Sequence, residues 1–184
     1  MPGTGGQRVT VEGRVLTLTN LDKVLYPETG TTKGEVLAYY AQVADPLLAW
    51  VRMRPMTRKR WPNGVGTTAE PGLVFFEKQL PRGSPEWVVN RPIEHHERTT
   101  DYPLCNDVAT LTWLSQLAVL ELHVPQWRFT ADGRPLPPDR LVLDLDPGPG
   151  VSLDDCAMVA LRVREALQEL GHETVPVTSG SKGI

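Results

Sequence analysis

One stretch constrains the fold more than any other: Leu141-Val-Leu-Asp-Leu-Asp-Pro-Gly-Pro-Gly150. It opens as a short apolar run bounded by turn residues, which predicts a buried strand. Pro147 to Gly150 cannot continue a strand and must turn. Residues two apart on a strand share a face, so Asp144 and Asp146 point the same way at its mouth. Like charges held together call for a cation between them. Two hard oxygen donors on one face suit Mg²⁺ or Mn²⁺ and leave room for substrate phosphates. The competing reading is an edge strand whose aspartates only begin the Pro-Gly turn.

At 184 residues the chain is long enough for one domain with a substantial core. A net charge of −3 excludes a global basic field, so any contact with nucleic acid must come from local patches. Cys105 and Cys156 lie in no CxxC or close histidine spacing and read as reduced structural thiols of a cytosolic protein. No signal peptide or long apolar span is present, so no membrane partner is expected.

Residues 1–7 are Gly-rich and read as a flexible tail, followed by a domain over 8–184. Arg8 to Thr19 alternates around Gly13 as one or two strands. Thr19 to Pro27 reads as a turn or short helix. Thr32 and Glu35 form a capping box for a helix from Lys33 to about Ala44, and Pro46 opens a short helix to Val51. Arg52, Arg54, Arg58, Lys59 and Arg60 form a cationic run with no acid, whose bland reading is a solvated face. Leu73 to Leu80 reads as a strand. Trp87–Val89 and Glu94–Arg98 read as paired strands around a turn at Asn90 to Pro92, with His95 and His96 as surface histidines. Asp107 caps a buried helix over Val108 to about Leu122, and an extended segment from His123 follows. After the aspartates, Ser152 and Asp155 cap a helix to about Leu170, Gly171 closes it, and Thr174 to Thr178 is a strand. Ser179-Gly-Ser-Lys-Gly183 offers N–H groups, hydroxyls and one cation to a phosphate, without the spacing of a P-loop. Strand, turn, helix and strand around two aspartates predict an α/β sandwich.

Seven stretches in order then agree with one family: Leu18–Pro27, Gly30–Lys33, Thr57–Gly64, Phe75–Gln79, Glu121–Trp127, Asp144–Gly148 and Thr178–Gly183. The chain resembles the polymerase domain of bacterial ATP-dependent DNA ligase D, within the archaeo-eukaryotic primase-polymerase superfamily. Stand-alone relatives without a ligase domain fit equally. The resemblance implies an α/β fold, a two-layer sandwich of mixed sheets with flanking helices around a primase-like catalytic core. It implies addition of ribo- or deoxynucleotides at DNA ends and short gaps in non-homologous end joining. Asp144 and Asp146 match the catalytic, metal-binding carboxylates that hold two Mn²⁺ or Mg²⁺ ions. His123, Ser179 and Lys182 match contacts to the incoming NTP or dNTP. Lys23 and Lys33, with Asn20, match the pocket for the 5′-phosphate of gapped DNA. Phe75 and Phe76 match aromatics that stack on the template, and Lys59 and Lys78 match template or phosphate contacts. The cationic run then becomes a local DNA patch. Ku and a ligase D or stand-alone ligase are the implied partners, and the cytoplasm, at the nucleoid, the implied location.

The family's domain continues past the Ser-Gly-Ser-Lys-Gly stretch, and its third catalytic carboxylate lies in that portion. The core is therefore expected to be incomplete at its C-terminus, with weak or no polymerase activity from these 184 residues alone. A non-catalytic module that binds 5′-phosphorylated DNA ends is the rival reading. A nucleotide-sugar transferase explains Asp144-Leu-Asp146 but none of the other six stretches. A haloacid-dehalogenase-like phosphatase fails because Pro147 stands where a hydroxyl residue is wanted.

Overall fold

The computed structural model describes residues 6–178 and 183–184. The chain divides into two compact units, Met1–Arg140 and Leu141–Ile184. All the strands among the described residues belong to the first.

The N-terminal unit opens with a hairpin of β1 (Gln7–Val11) and β2 (Arg14–Leu18). Its two-residue loop, Glu12-Gly13, has φ of 49° and 76°, the left-handed pair that matches the twist of a tight hairpin. A second ladder joins β3 (Val24–Tyr26) to β4 (Thr31–Thr32), where sequence predicts a turn or helix. β3 is three residues long, too short to show a period of two. Thr32 then caps α1 (Lys33–Gln42) through the expected capping box with Glu35. α2 (Ala44–Val51) follows.

The cationic run becomes β5 (Thr57–Arg60), the central strand of a sheet ordered β6-β5-β9. β6 is Phe75–Glu77 and β9 is Val119–His123. β7 (Asn90–Glu94) and β8 (Thr99–Pro103) form a separate ribbon. Asn90 to Pro92 is thus strand rather than turn; each strand of a two-stranded ribbon is an edge, where a proline without N–H is tolerated.

Asp107 caps α3 (Val108–Gln116) as expected. The helix stops well before Leu122, because Ala118 turns left-handed at φ 55° and the apolar residues after it form β9. A short apolar run does not distinguish buried helix from buried strand by periodicity. The core gathers Leu25, Leu48, Met56, Leu111, Leu114 and Val119, each at 1% exposure or less. α1 packs on α3 there, and the Tyr40 hydroxyl reaches the carbonyl oxygens of Val119 and Leu120. Cys105 is a free, fully buried thiol that burial pushes up to about 12, so it is inert.

In the C-terminal unit, Ser152 and Asp155 cap α4 (Leu153–Glu169) by a second capping box, and Gly171 at φ 81° follows its end. Neither Leu141–Asp146 nor Thr174–Thr178 is a strand. Leu141 and Val142 are 67% and 58% exposed. A strand exists through its ladder, and the described residues set no strand beside this segment. Leu145 and Ile184 exchange backbone hydrogen bonds of 2.9 and 3.3 Å. All the named ladders are antiparallel, so the parallel component of a mixed sheet is not among the described residues.

Candidate nucleic-acid interface

Asn20, Lys23 and Lys33, distant in sequence pattern, come together in the N-terminal unit. Asn20 takes φ 54°, and its carbonyl accepts from Lys23 N–H at 3.1 Å, closing a turn. Asparagine tolerates that conformation better than most side chains. The first amides of α1 are tied back to this turn: Lys33 N–H donates to Lys23 O and Gly34 N–H to Leu21 O, both at 2.8 Å. Lys33 is buried, and its Nζ donates to Thr19 O at 2.9 Å. Lys23 Nζ donates to Pro62 O at 2.6 Å and to Asn63 Oδ1 at 2.8 Å. These partners are backbone and amide oxygens without net charge. Burial, and then the charge of Lys23, lower Lys33 to about 8. Both ammonium groups therefore meet neutral oxygens and, among the described residues, no carboxylate. Asn63 was not singled out by sequence reasoning, and its contact with Lys23 is long-range.

A second group lies on one face of the β6-β5-β9 sheet. Registry places Lys59 opposite Phe76 on one side and Glu121 on the other, with His123 two residues along from Glu121. Lys59 Nζ donates to Glu121 at 2.8 Å, and His123 Nε2 lies 2.7 Å from its other oxygen. Phe76 meets His123 edge-on at 5.4 Å, and Lys59 lies over the Trp61 ring at 4.9 Å. Burial pushes Glu121 up, but hydrogen bonds from Lys59 and His123 outweigh it and hold the carboxyl below its usual range. Glu121 organises this face and escaped the sequence reading because its strand was taken for helix. Phe75, adjacent to Phe76 on β6, faces the opposite side beside Arg60, at 6.0 Å. Lys78 is exposed just beyond β6. His123 is exposed.

The cationic run does not form one DNA patch. Arg58 is fully buried, donating to Gln79 O and pairing with Glu77 at 3.5 Å. Arg54 is buried and bound by both oxygens of Asp139 at 2.7 and 2.8 Å. Arg60 pairs with Glu77, and Lys59 with Glu121. β5 sends alternate side chains to opposite faces, so Arg58 goes to the core while Lys59 is not buried; Arg52 and Arg54 precede the strand.

In the C-terminal unit Asp144 and Asp146 are exposed on an irregular segment. A Cβ on Gly183 would stand 2.7 Å from both Asp146 Oδ1 and Leu145 O, so the chain after the Ser-Gly-Ser-Lys stretch passes directly against the aspartate. Ser179 and Lys182 lie outside the described residues. Among the described residues no group of three or more His, Cys, Asp or Glu side chains is placed to hold a metal. Two solvent-open carboxylates fit a hard divalent ion that retains water and phosphate oxygens, as Mg²⁺ or Mn²⁺ does.

These features sit in an α/β chain: a pair of lysines that meet only neutral oxygens, a Lys-Glu-His-Phe sheet face and a pair of exposed aspartates. Residues 32–184 match the family model of the LigD primase-polymerase domain, and the chain belongs to that family. It is 51% identical over 174 residues to the multifunctional non-homologous end joining DNA repair protein LigD of Mycobacterium tuberculosis H37Rv, covering 92% of this chain and 22% of that protein. The bifunctional non-homologous end joining protein LigD of Bacillus subtilis is 31% identical over 172 residues, covering 92% of this chain and 26% of that protein. The chain therefore spans about a quarter or less of these curated relatives. Its fold superposes with TM-score 0.83 on the polymerase domain from M. tuberculosis ligase D in complex with DNA, at 51% identity over 91% of this chain and 58% of that one. No helix among the described residues is long and apolar enough to cross a membrane.

Proposed function

We propose that this chain recognises DNA ends and gaps by their 5′-phosphate and serves nucleotidyl transfer of NTP or dNTP in non-homologous end joining. The observation that carries the reading is the Lys23–Lys33 pair, whose two charges meet only neutral oxygens. At neutral pH the folded chain bears the cost of burying the Lys33 ammonium beside Lys23, and a dianionic terminal phosphate offsets it. Phe75 and Phe76, on an edge strand, offer exposed rings for template bases, a sequence-tolerant contact. Lys59 and Lys78 add charge toward the same strand.

His123 is the described residue offered to the triphosphate, with Ser179 and Lys182 assigned to it from the family pattern. If Nε2–H donates to Glu121, a neutral imidazole keeps only Nδ1, an acceptor. Donation to a phosphate oxygen therefore needs a second proton on the ring or release from Glu121. Glu121 holds Lys59 and His123 in place before an anion arrives. Asp144 and Asp146 would hold Mn²⁺ or Mg²⁺. When bound, such ions neutralise the triphosphate and lower the barrier to attack by a primer 3′-hydroxyl. In this reading the fold is the two-layer, primase-like core of the superfamily, acting with Ku and a ligase.

The test is fluorescence-anisotropy binding to gapped DNA with and without the downstream 5′-phosphate. Charged hydrogen bonds contribute about 1.5–3 kcal/mol each, so the phosphate should tighten binding by about tenfold or more. Lys23→Ala with Lys33→Ala should remove the difference. Equal binding to both DNAs by the folded wild-type chain would refute the pocket. Incorporation of nucleotide separates the polymerase from the non-catalytic end-binding module, which would show the phosphate preference alone.

A further inference from the structure

A second cationic site shares no residue with the lysine pocket or the sheet face and is built on the segment from Pro125 to Arg140 and the end of α2. Three guanidiniums, Arg54, Arg128 and Arg140, surround one carboxylate, Asp139. Arg54 is the fixed member: Nε donates to Trp50 O at 3.0 Å, Nη1 to Pro125 O at 3.2 Å, and Nη2 to both Asp139 oxygens. Arg128 Nε donates to Asp139 Oδ2 at 2.7 Å, and the residue is exposed. Asp139 is thus saturated by two arginines. Arg140 makes one long bond, to Pro125 O at 3.4 Å, and its buried Nε has no partner. The three arginines and one aspartate leave two positive charges uncompensated.

Beside them stands Trp50. Of the five tryptophans it is the one exposed, at 63%, with the Arg140 guanidinium 5.7 Å from its ring centroid. An exposed indole next to surplus guanidinium charge is the pairing that holds single-stranded nucleic acid: the ring stacks a base, and the planar cations take the neighbouring phosphodiester. An acidic peptide would satisfy the charge but has no use for the indole face.

We infer that Trp50, Arg128 and Arg140 form a binding site for single-stranded nucleic acid, separate from the 5′-phosphate pocket. It rests on the reading of the chain as a DNA-end protein but uses none of that pocket's residues. Its place in the work is to hold an unpaired strand, such as a single-stranded overhang, while Lys23 and Lys33 hold the phosphorylated end.

The test uses the full chain and a labelled oligo(dT) without 5′-phosphate, titrated at several salt concentrations, with Trp50→Ala and Arg128→Gln variants. Both positions are exposed, and circular dichroism confirms folding. Loss of one stacking partner should weaken oligo(dT) binding about fivefold or more. Arg128→Gln should also reduce the magnitude of the salt slope by about 0.7. Oligo(dT) should quench tryptophan fluorescence in wild type and lose the Trp50 part of that quenching in Trp50→Ala. Folded variants that bind oligo(dT) as wild type does, or equal displacement by poly-glutamate at matched charge, would overturn the site. The same variants on gapped DNA keep the two readings apart. A retained 5′-phosphate preference shows that the lysine pocket is intact, and its absence in wild type refutes the pocket without touching the oligo(dT) result.

Discussion

Lys33→Met should change stability in opposite directions at neutral and alkaline pH. The ammonium of Lys33 is buried, donates to Thr19 O and faces the charge of Lys23. Its pKa falls from 10.5 to about 8 in the fold, so between those values the unfolded chain holds the extra proton and stability rises with pH. Below pH 8 the folded chain carries the whole cost. At 1.36 kcal/mol per unit the shift is worth ~3 kcal/mol, and partial solvation of the ammonium reduces this to about 1–2 kcal/mol. Methionine removes that cost but leaves Thr19 O without its donor, a loss of about 1 kcal/mol. At pH 7 the variant should be as stable as wild type or up to about 1 kcal/mol more so, and at pH 10 about 1 kcal/mol less stable. Urea melts at the two pH values measure both numbers. The same variant should bind gapped DNA without regard to the 5′-phosphate. A variant less stable than wild type by the same amount at both pH values would refute the claim that Lys33 is held uphill for binding.

Three further perturbations test other parts of the structure. Glu77→Ala strips Arg58 of its carboxylate while Arg58 stays fully buried, and should cost ~3 kcal/mol in a urea melt, most of it recovered when Arg58→Met is added. Gly183→Ala drives a Cβ to 2.7 Å from Asp146 Oδ1 and from Leu145 O; it should weaken Mn²⁺ binding by calorimetry several-fold while leaving oligo(dT) binding unchanged. Thr32→Ala removes the side-chain acceptor for Glu35 N–H and should cost about 1 kcal/mol by the same melts.

Local devices were legible because their partners are near in sequence. The two capping boxes, the Asp107 cap and the Glu12-Gly13 hairpin each need only residues within three or four positions. β5 was not legible. Thr57-Arg-Lys-Arg60 is the most polar strand of the N-terminal unit, yet it runs through the middle of a sheet with Arg58 at zero exposure. Nothing local announces that Gln79 O and Glu77 will receive a guanidinium there. β9 failed for a different reason. Leu117 to Leu122 suits helix or strand, and the left-handed Ala118 that decides between them is not a glycine. The lysine pocket was found by motif order, since no periodicity relates Lys23 to Lys33 or either to Asn63. The predicted aspartate strand shows the converse. Its composition is right, but a strand needs a ladder, and no strand among the described residues lies beside it.

On the proposed reading, the division of charge lets an acidic chain offer cations to DNA. Its cations in and around β5 share carboxylates: Arg54 and Arg128 pair with Asp139, Arg58 and Arg60 with Glu77, and Lys59 with Glu121, so five cations meet three acids. Those pairs fix geometry and leave part of the charge unneutralised. Lys23 and Lys33 meet only neutral oxygens, and Arg140 keeps an unpaired Nε. Net charge −3 therefore says little about affinity for phosphate; what matters is that surplus cations are concentrated where the fold withholds their counter-ions. Such sites discriminate better than a diffuse basic surface would, because each is formed around a particular anion count. A terminal phosphate, with more charge than a backbone diester, suits the two close ammonium groups, and a single diester beside an indole suits the arginines. Salt separates the two: added salt should weaken oligo(dT) binding strongly while leaving the ratio between phosphorylated and unphosphorylated gaps much less changed, since the partly buried lysine pair is less screened than the exposed Arg128.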